Sequence, residues 1–303
     1  VIKQIHIHKN NFSKGVLMVL LGAICFSSKG VFAKLSYQHG ASAIDILNLR
    51  MLFSLPFYIL IYFNEQRKNK ISIAKNTKIN ILIIGIIGYY LAALFDFIGL
   101  QYISANLERI VIFTYPTFVL ILGYILFKRN INKIQLISIL LCYAGIVISF
   151  YSDVQHFDFK NGIMGISFVL LSSLTYAFYL VKSDNIIKEI GTLRFTCLSM
   201  IISCCAVLIH NFILNGFNLF SYSKTIYLLG FVIATISTVL PSFFMSYGIS
   251  LIGSSNMSIV ASFGPISTMF LAYFILQEKI TLLHVVGTFL VLVGVYLIGK
   301  KGK

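Results

Sequence analysis

Residues 81–148 of the chain lie over residues 230–297 at a constant offset of 149, without a gap. The register pairs Gly99 with Gly248, Ile110-Val111 with Ile259-Val260, Pro116 with Pro265, Tyr124 with Tyr273, Ile131 with Ile280 and Gly145 with Gly294. Upstream it slips by a few residues, yet Leu49-Arg50 still finds Leu193-Arg194. Self-similarity at a period near half the chain length means two copies of one structural unit, so whatever the first half folds into, the second half repeats.

The solvent for that unit follows from composition. Hydrophobic residues make up 58% of the chain and charged residues 11%, against about 25% charged in ordinary soluble domains. The apolar runs are about 18–23 residues long and nearly back to back, the length a helix needs to cross a hydrocarbon core of about 30 Å. Barrel strands would be shorter and would alternate polar with apolar positions, which these runs do not. The expected fold class is therefore all-α: a polytopic membrane protein. The spans fall at 15–35, 45–63, 79–102, 105–127, 134–150, 162–182, 193–213, 225–247, 255–276 and 283–299, with breaks at His39-Gly40, Asn69, Asn130, Asn161-Gly162, Gly191, Asn215-Gly216 and Gly253. The first run could be mistaken for a secretion signal, since Lys3, Lys9 and Lys14 precede it. It continues past Lys29 to Leu35 with no small-x-small cleavage site, however, and reads as the first transmembrane helix.

Ten spans divide into five helices per copy: residues 1–150 form the first repeat and residues 151–303 the second. An odd number inserts the second copy upside down relative to the first, giving an inverted repeat with its pseudo-two-fold axis in the membrane plane and its site near the midplane. Cation placement sets the orientation. With the N-terminus inside, sixteen cations face the cytoplasm: Lys3, Lys9, Lys14, Arg67, Lys68, Lys70, Lys75, Lys78, Lys128, Arg129, Lys133, Lys182, Lys188, Lys300, Lys301 and Lys303. Four face out, namely Lys34, Lys160, Lys224 and Lys279. This asymmetry puts both termini in the cytoplasm, with the protein in the cytoplasmic membrane. The net charge of +15 is then a topology signal directed at the anionic inner leaflet, and no nucleic-acid partner is expected. The five cysteines lie within apolar runs without metal-ligand spacing, and the histidines cluster only at His6 and His8, so neither a metal nor a cofactor is expected.

Charges inside membrane helices cost about 2.5–3.5 kcal/mol each on insertion scales and demand a reason. The first repeat holds Lys29, Arg50, Asp96, Glu108 and Arg109; at the matching positions of the second, Met245 stands for Asp96, and Met257 and Ser258 for Glu108 and Arg109. Only Arg50 keeps its charge, as Arg194. Asp96 shares a helix face with Tyr89, Ala92, Ala93 and Gly99. Two roles for it stay open, which can coexist: a coupling or substrate-amine carboxylate, or a structural partner of Lys29. Glu108 and Arg109 point about 100° apart and cannot both face one cavity; Glu108 shares a face with Ile112 and Tyr115 and Arg109 with Phe113 and Pro116, and the outer interface stays open as the place of the pair. Arg50 and Arg194 are expected to be structural anchors, snorkelling or donating to carbonyls at helix ends. Pro116 and Pro265, with Pro241, each free a carbonyl mid-helix, and such kinks are tolerated where they face protein or water. On that reasoning Tyr89, Tyr115, Tyr176 and Tyr179 stand near a cavity, and Ser242 and Ser262, from the hydroxyl stripes of the second repeat, supply its opposite wall. Pro116 and Pro265 should flank that cavity near the midplane.

Several short motifs recur in order. They are the two Leu-Arg pairs, the segment Gly99-Leu100-Gln101-Tyr102-Ile103-Ser104-Ala105, Tyr115-Pro116 with its partner Gly264-Pro265, and Glu278-Lys279. In these the chain resembles the EamA-like branch of the drug/metabolite transporter superfamily over essentially its whole length; Lys128-Arg129, where that family carries an acid, departs from the pattern. The resemblance implies transport of a metabolite such as an amino acid, sugar or nucleotide, and leaves the substrate and direction open. The residues themselves point the same way. There is no Gly-rich phosphate loop for ATP-driven transport, no His-Glu-x-x-His or Gly-x-Ser-x-Gly for an intramembrane enzyme, and no pore ring of charges for a channel. The expectation is a non-enzymatic secondary transporter of a small polar molecule, with protons as the candidate coupling ion in export and the lipid bilayer as surround, acting as a monomer or homodimer.

Overall fold

The computed structural model describes residues 9–68, 70–127, 133–154, 159–216, 222–261 and 263–300. His6, His8, Lys128, Arg129 and Ser262 lie outside the described residues, as do the side chains of Ser255, Ser258 and Met257. Everything regular among the described residues is helical. The helices are α1 (Lys9–Gln38), α2 (Ala43–Lys68), α3 (Lys75–Ile84), α4 (Ala92–Tyr102), α5 (Ala105–Ile112), α6 (Tyr115–Phe127), α7 (Lys133–Val154), α8 (Phe159–Ile190), α9 (Thr192–Asn215), α10 (Lys224–Ala234), α11 (Leu240–Ala261), α12 (Gly264–Leu271) and α13 (Leu282–Lys300). Wider π-helical turns join α3 to α4 (Gly85–Leu91) and α10 to α11 (Thr235–Val239), and a third (Ala272–Leu276) ends α12.

Among the described residues eight helical stretches are long and apolar enough to cross a membrane, and two more, Gly264–Leu276 and Leu282–Leu297, are apolar but shorter. The chain is a polytopic membrane protein. Its exterior suits lipid: Leu60, Ile213, Leu282 and Phe289 stand out from the surface, whereas Lys29, Arg50, Asp96, Glu108 and Arg109 are buried. Burying the charge and exposing the grease is what a hydrocarbon solvent rewards.

The expected breaks hold at His39-Gly40, Gly191 and Gly216, each glycine with a positive φ that ends one helix and re-aims the next. α8 starts earlier than the sequence suggests, at Phe159, and runs to Ile190, so Gly162 falls inside it. The break expected at Gly253 is subtler, because helical hydrogen bonding continues from Leu240 to Ala261. Even so, Ile252 packs on Gly15 while the Gly264 carbonyl accepts from Ser27 Oγ at 2.9 Å. Those two points on α1 are twelve residues, or about 18 Å, apart, and α11 descends α1 from Ser237 beside Ser28 to Ile252 beside Gly15. The chain therefore reverses between Ile252 and Gly264.

The same packing occurs twice. Gly99 of α4 meets Val169 and the Gly165 carbonyl of α8; Gly248 of α11 meets Val19 and the Gly15 carbonyl of α1. A methyl on Gly99 would fall 2.6 Å from Val169 Cγ2 and 2.8 Å from the Gly165 oxygen, so only glycine permits this approach. Gly165 in turn faces Tyr102 and Ile103, and Gly15 faces Leu251 and Ile252, the residues that match them at the 149 offset. α7 and α13 pack antiparallel: Gly294 lies on Ser138 and Cys142, Gly145 on Gly287 and Val291. Cys142 and Val291, equivalent by the offset, touch each other, the thiol donating to the Val291 carbonyl at 3.8 Å.

Candidate functional site

Three helices bring the first-repeat charges together. Lys29 projects from α1, Asp96 from α4 and Glu108 from the first turn of α5. Lys29 Nζ donates to Asp96 Oδ2 and stands 3.6 Å from Glu108 Oε1. Glu108 is 0% exposed, and Gly30 makes the room for it: a side chain at 30 would begin 3.1 Å from Oε2. Both Glu108 oxygens and Asp96 Oδ1 accept no hydrogen bond from the described residues. One ammonium thus serves two buried carboxylates.

Arg109 takes the other side of α1, as its 100° offset from Glu108 requires. Its Nε donates to Thr268 Oγ1 of α12 at 3.0 Å and its Nη2 to the Phe26 carbonyl at 3.0 Å. Both side chains of this pair are enclosed by protein. Two phenylalanines tie the cations together. The Phe26 ring lies 5.5 Å from Lys29 Nζ and 5.3 Å from the Arg109 guanidinium, and the Phe97 ring 5.9 Å from Lys29 Nζ and 5.4 Å from the Arg50 guanidinium, within cation–π range. Neither ring is marked in the sequence, because one phenylalanine among 27 has no contrast.

Arg194 Nη2 donates to the Glu65 carbonyl at 3.0 Å, near the end of α2. Arg50 is bonded differently. Its Nε donates to Thr238 Oγ1 at 2.8 Å, and no helix-end carbonyl receives it among the described residues. Ser54 and Tyr58, one and two turns further on the same face of α2, extend a polar stripe. Tyr58 Oη lies 2.9 Å from Ser242 Oγ, which donates to the Thr238 carbonyl at 2.6 Å. Ser242 therefore belongs to this stripe. Tyr58 is not among the residues expected at the site, although its spacing of eight from Arg50 is the signal that places it on this face.

Tyr89, Tyr115, Tyr176 and Tyr179 do come together. Their ring centroids lie 5.0 Å (Tyr89–Tyr179), 5.4 Å (Tyr115–Tyr176) and 5.8 Å (Tyr176–Tyr179) apart, with Phe195 against Tyr179 at 5.4 Å. Gly88 admits Tyr179 where any Cβ would collide. Pro116 and Pro265 each occupy the second position of a restarted helix, α6 and α12, rather than a kink within one. There the missing N–H is harmless. The two restarts face each other, with Phe113, just before α6, against Gly264 at the head of α12. Ser262 lies outside the described residues.

An open cavity of about 530 Å³ lies at the far end of α1, lined by Lys34, Tyr37, Gln38, Gln101, Leu276 and Glu278. Tyr37 separates it from the ion cluster: its hydroxyl donates to the Phe97 carbonyl at 2.8 Å, and it is within electrostatic reach of Asp96 and Glu108. Glu278 accepts the backbone N–H groups of Ala105 at 2.9 Å and Asn106 at 3.3 Å, capping α5 with charge of the favourable sign. Ser104 caps the same turn from within, its Oγ accepting from the Leu107 N–H at 3.0 Å. No group of three or more His, Cys, Asp or Glu among the described residues is placed to hold a metal ion.

The profile of the EamA-like transporter family matches the chain twice, over residues 13–151 and 163–300. The chain is 32% identical over 299 residues to a transporter of Bacillus subtilis, YcbK, described as uncharacterized, with 95% of each chain covered. It is 25% identical to an uncharacterized transporter of Synechocystis, sll1319, covering 95% of this chain and 93% of that one. One crystal structure superposes with a TM-score of 0.64 over 94% of this chain and 96% of its own, at 13% identity, which speaks to the fold alone. Two profile matches over nearly all the residues, and relatives named as transporters, identify the chain as a member of the EamA-like transporter family, an integral membrane transporter and not an enzyme.

Proposed function

We propose that the protein is a secondary transporter that moves a small polar metabolite across the cytoplasmic membrane by alternating access, with a proton as coupling ion. The two halves, residues 1–150 and 151–303, are read as inverted five-helix repeats with both termini in the cytoplasm. Ten spans result if Gly264–Leu276 and Leu282–Leu297 cross along with the eight longer ones. The reversal between Ile252 and Gly264 lends the former the length it lacks. Inversion is supported by the duplicated glycine contacts and by antiparallel α7 and α13, where equivalent residues touch.

The observation that carries the coupling is the sharing of Lys29 between Asp96 and Glu108, in one repeat only. A single buried ammonium balances one carboxylate. The second is balanced when it takes up a proton, or when substrate displaces Lys29, so the cluster can exchange one cation for another. Coupling is tested in proteoliposomes enclosing a pH-sensitive dye, challenged with labelled amino acids and other polar metabolites. Wild type should move one of them together with protons, and Asp96→Asn should abolish the proton flux while inserting normally. Substrate movement without proton flux, undiminished in Asp96→Asn, would refute the coupling.

A further inference from the structure

The buried cations and acids around Phe97 do not balance. With both acids ionised, Lys29, Arg50 and Arg109 supply three positive charges against two from Asp96 and Glu108, leaving one in excess. The excess is located at Arg50. Lys29 has its carboxylates and Arg109 has a carbonyl and a hydroxyl, but among the described residues no carboxylate lies within 4 Å of the Arg50 guanidinium. The residue is 4% exposed, yet its only hydrogen bond uses Nε; both terminal nitrogens, with four N–H donors, bond to no described residue.

What surrounds those nitrogens is arranged by the duplication. Tyr89 and Thr238 are the same position at the 149 offset, and each sits in a π-helical turn, Gly85–Leu91 and Thr235–Val239. Such turns are rare, concentrate at functional sites, and rotate a side chain out of the face an α-helix would give it. Of the two equivalent turns, one supplies Thr238, which bonds the guanidinium, and the other carries Tyr89, which with Tyr58 and Asp96 is within electrostatic reach of it. The Tyr89 hydroxyl makes no hydrogen bond to the described residues and is a free donor beside free donors. A site of donors with one positive charge in excess, which Asp96 reaches electrostatically without pairing within 4 Å, suits an anion of charge one.

Resting on the transporter reading above, we propose that Arg50 is the substrate's anion-binding residue, with Tyr89 as its neighbouring donor, and that the substrate carries a single carboxylate. Phosphate monoesters, at about −1.5 to −2 near neutral pH, would overfill the charge. The planar guanidinium fork matches a carboxylate in bidentate fashion.

The test is thermal stabilisation of the full chain in detergent by a panel. It comprises the proteinogenic amino acids, acetate, lactate, benzoate, the amides of the same acids, simple alkylamines and inorganic phosphate. The expected result is stabilisation by one or more monocarboxylates and by none of the corresponding amides. Arg50→Lys should weaken binding of that carboxylate by about tenfold or more, Arg50→Gln should abolish it, and Tyr89→Phe should weaken it severalfold. Should Arg50→Gln fail to fold, Arg50→Lys and Tyr89→Phe decide. The proposal is overturned if no monocarboxylate stabilises wild type, if amides or amines do so equally, if phosphate is preferred, or if the variants bind as wild type does. Because binding in detergent needs no translocation, a carboxylate that binds at Arg50 but is never moved across proteoliposomes would instead refute the transporter mechanism.

Discussion

Lys29 is the only described cation within 4 Å of either Asp96 or Glu108. Its removal strands two buried carboxylates, which typically costs about 3–5 kcal/mol when one partner of a buried pair is lost. Lys29→Met should accordingly lower the thermal unfolding temperature in detergent sharply. The triple change Lys29→Met/Asp96→Asn/Glu108→Gln should recover most of that stability, because no carboxylate is then left unpaired. It should not recover transport; a triple variant that transports would reduce the cluster to scaffolding. The charges of this site were conspicuous in the sequence because ionisable groups are scarce in apolar helices. Their division of labour was not. Arg50 and Arg194 share a motif and look alike as letters, yet Arg194 bonds the Glu65 carbonyl while Arg50 bonds Thr238 beneath Phe97. Tyr37, Phe26 and Phe97 were invisible for the opposite reason, since aromatic residues are everywhere in this chain.

Between elements, close approaches are made by glycines in matched positions, Gly99 on α8 and Gly248 on α1. Introducing isoleucine at either should force the helix pair apart and destabilise the protein by about 1–3 kcal/mol, the usual range for overpacking. Two similar losses in thermal stability are expected, since the contacts are copies; a large loss at one and none at the other would mean that the halves carry unequal load. Helix positions were largely legible from apolar run length and from glycine. The π-helical turns were not, because nothing in Gly85–Leu91 or Thr235–Val239 marks an extra residue per turn. Nor was the reversal near Gly253 legible as it occurs, with helical bonding carried through it. The prolines were read as kinks, whereas at the second position of α6 and α12 they start a new segment. The physics is the same missing N–H, moved to where it is harmless.

For the molecule as a whole, the distribution of cations predicts sidedness. In a background without native cysteines, Ser72→Cys, in the cation-rich loop before α3, should label only from the cytoplasm, and His39→Cys, in the turn between α1 and α2, only from outside. Labelling of both from one face would contradict a single crossing by α2 and, with it, the assignment of the termini. Such a duplicated molecule also meets itself along one helix pair. α7 and α13 are the same helix in two copies, and Cys142 rests on its own counterpart, Val291. When two equal bodies tilt against each other about a two-fold axis, points on the axis stay still and displacement grows with distance from it. If the halves rock as proposed, the α7–α13 seam is the axle, close-packed through Gly145, Gly287 and Gly294, and it stays quiet while the rest of each half swings.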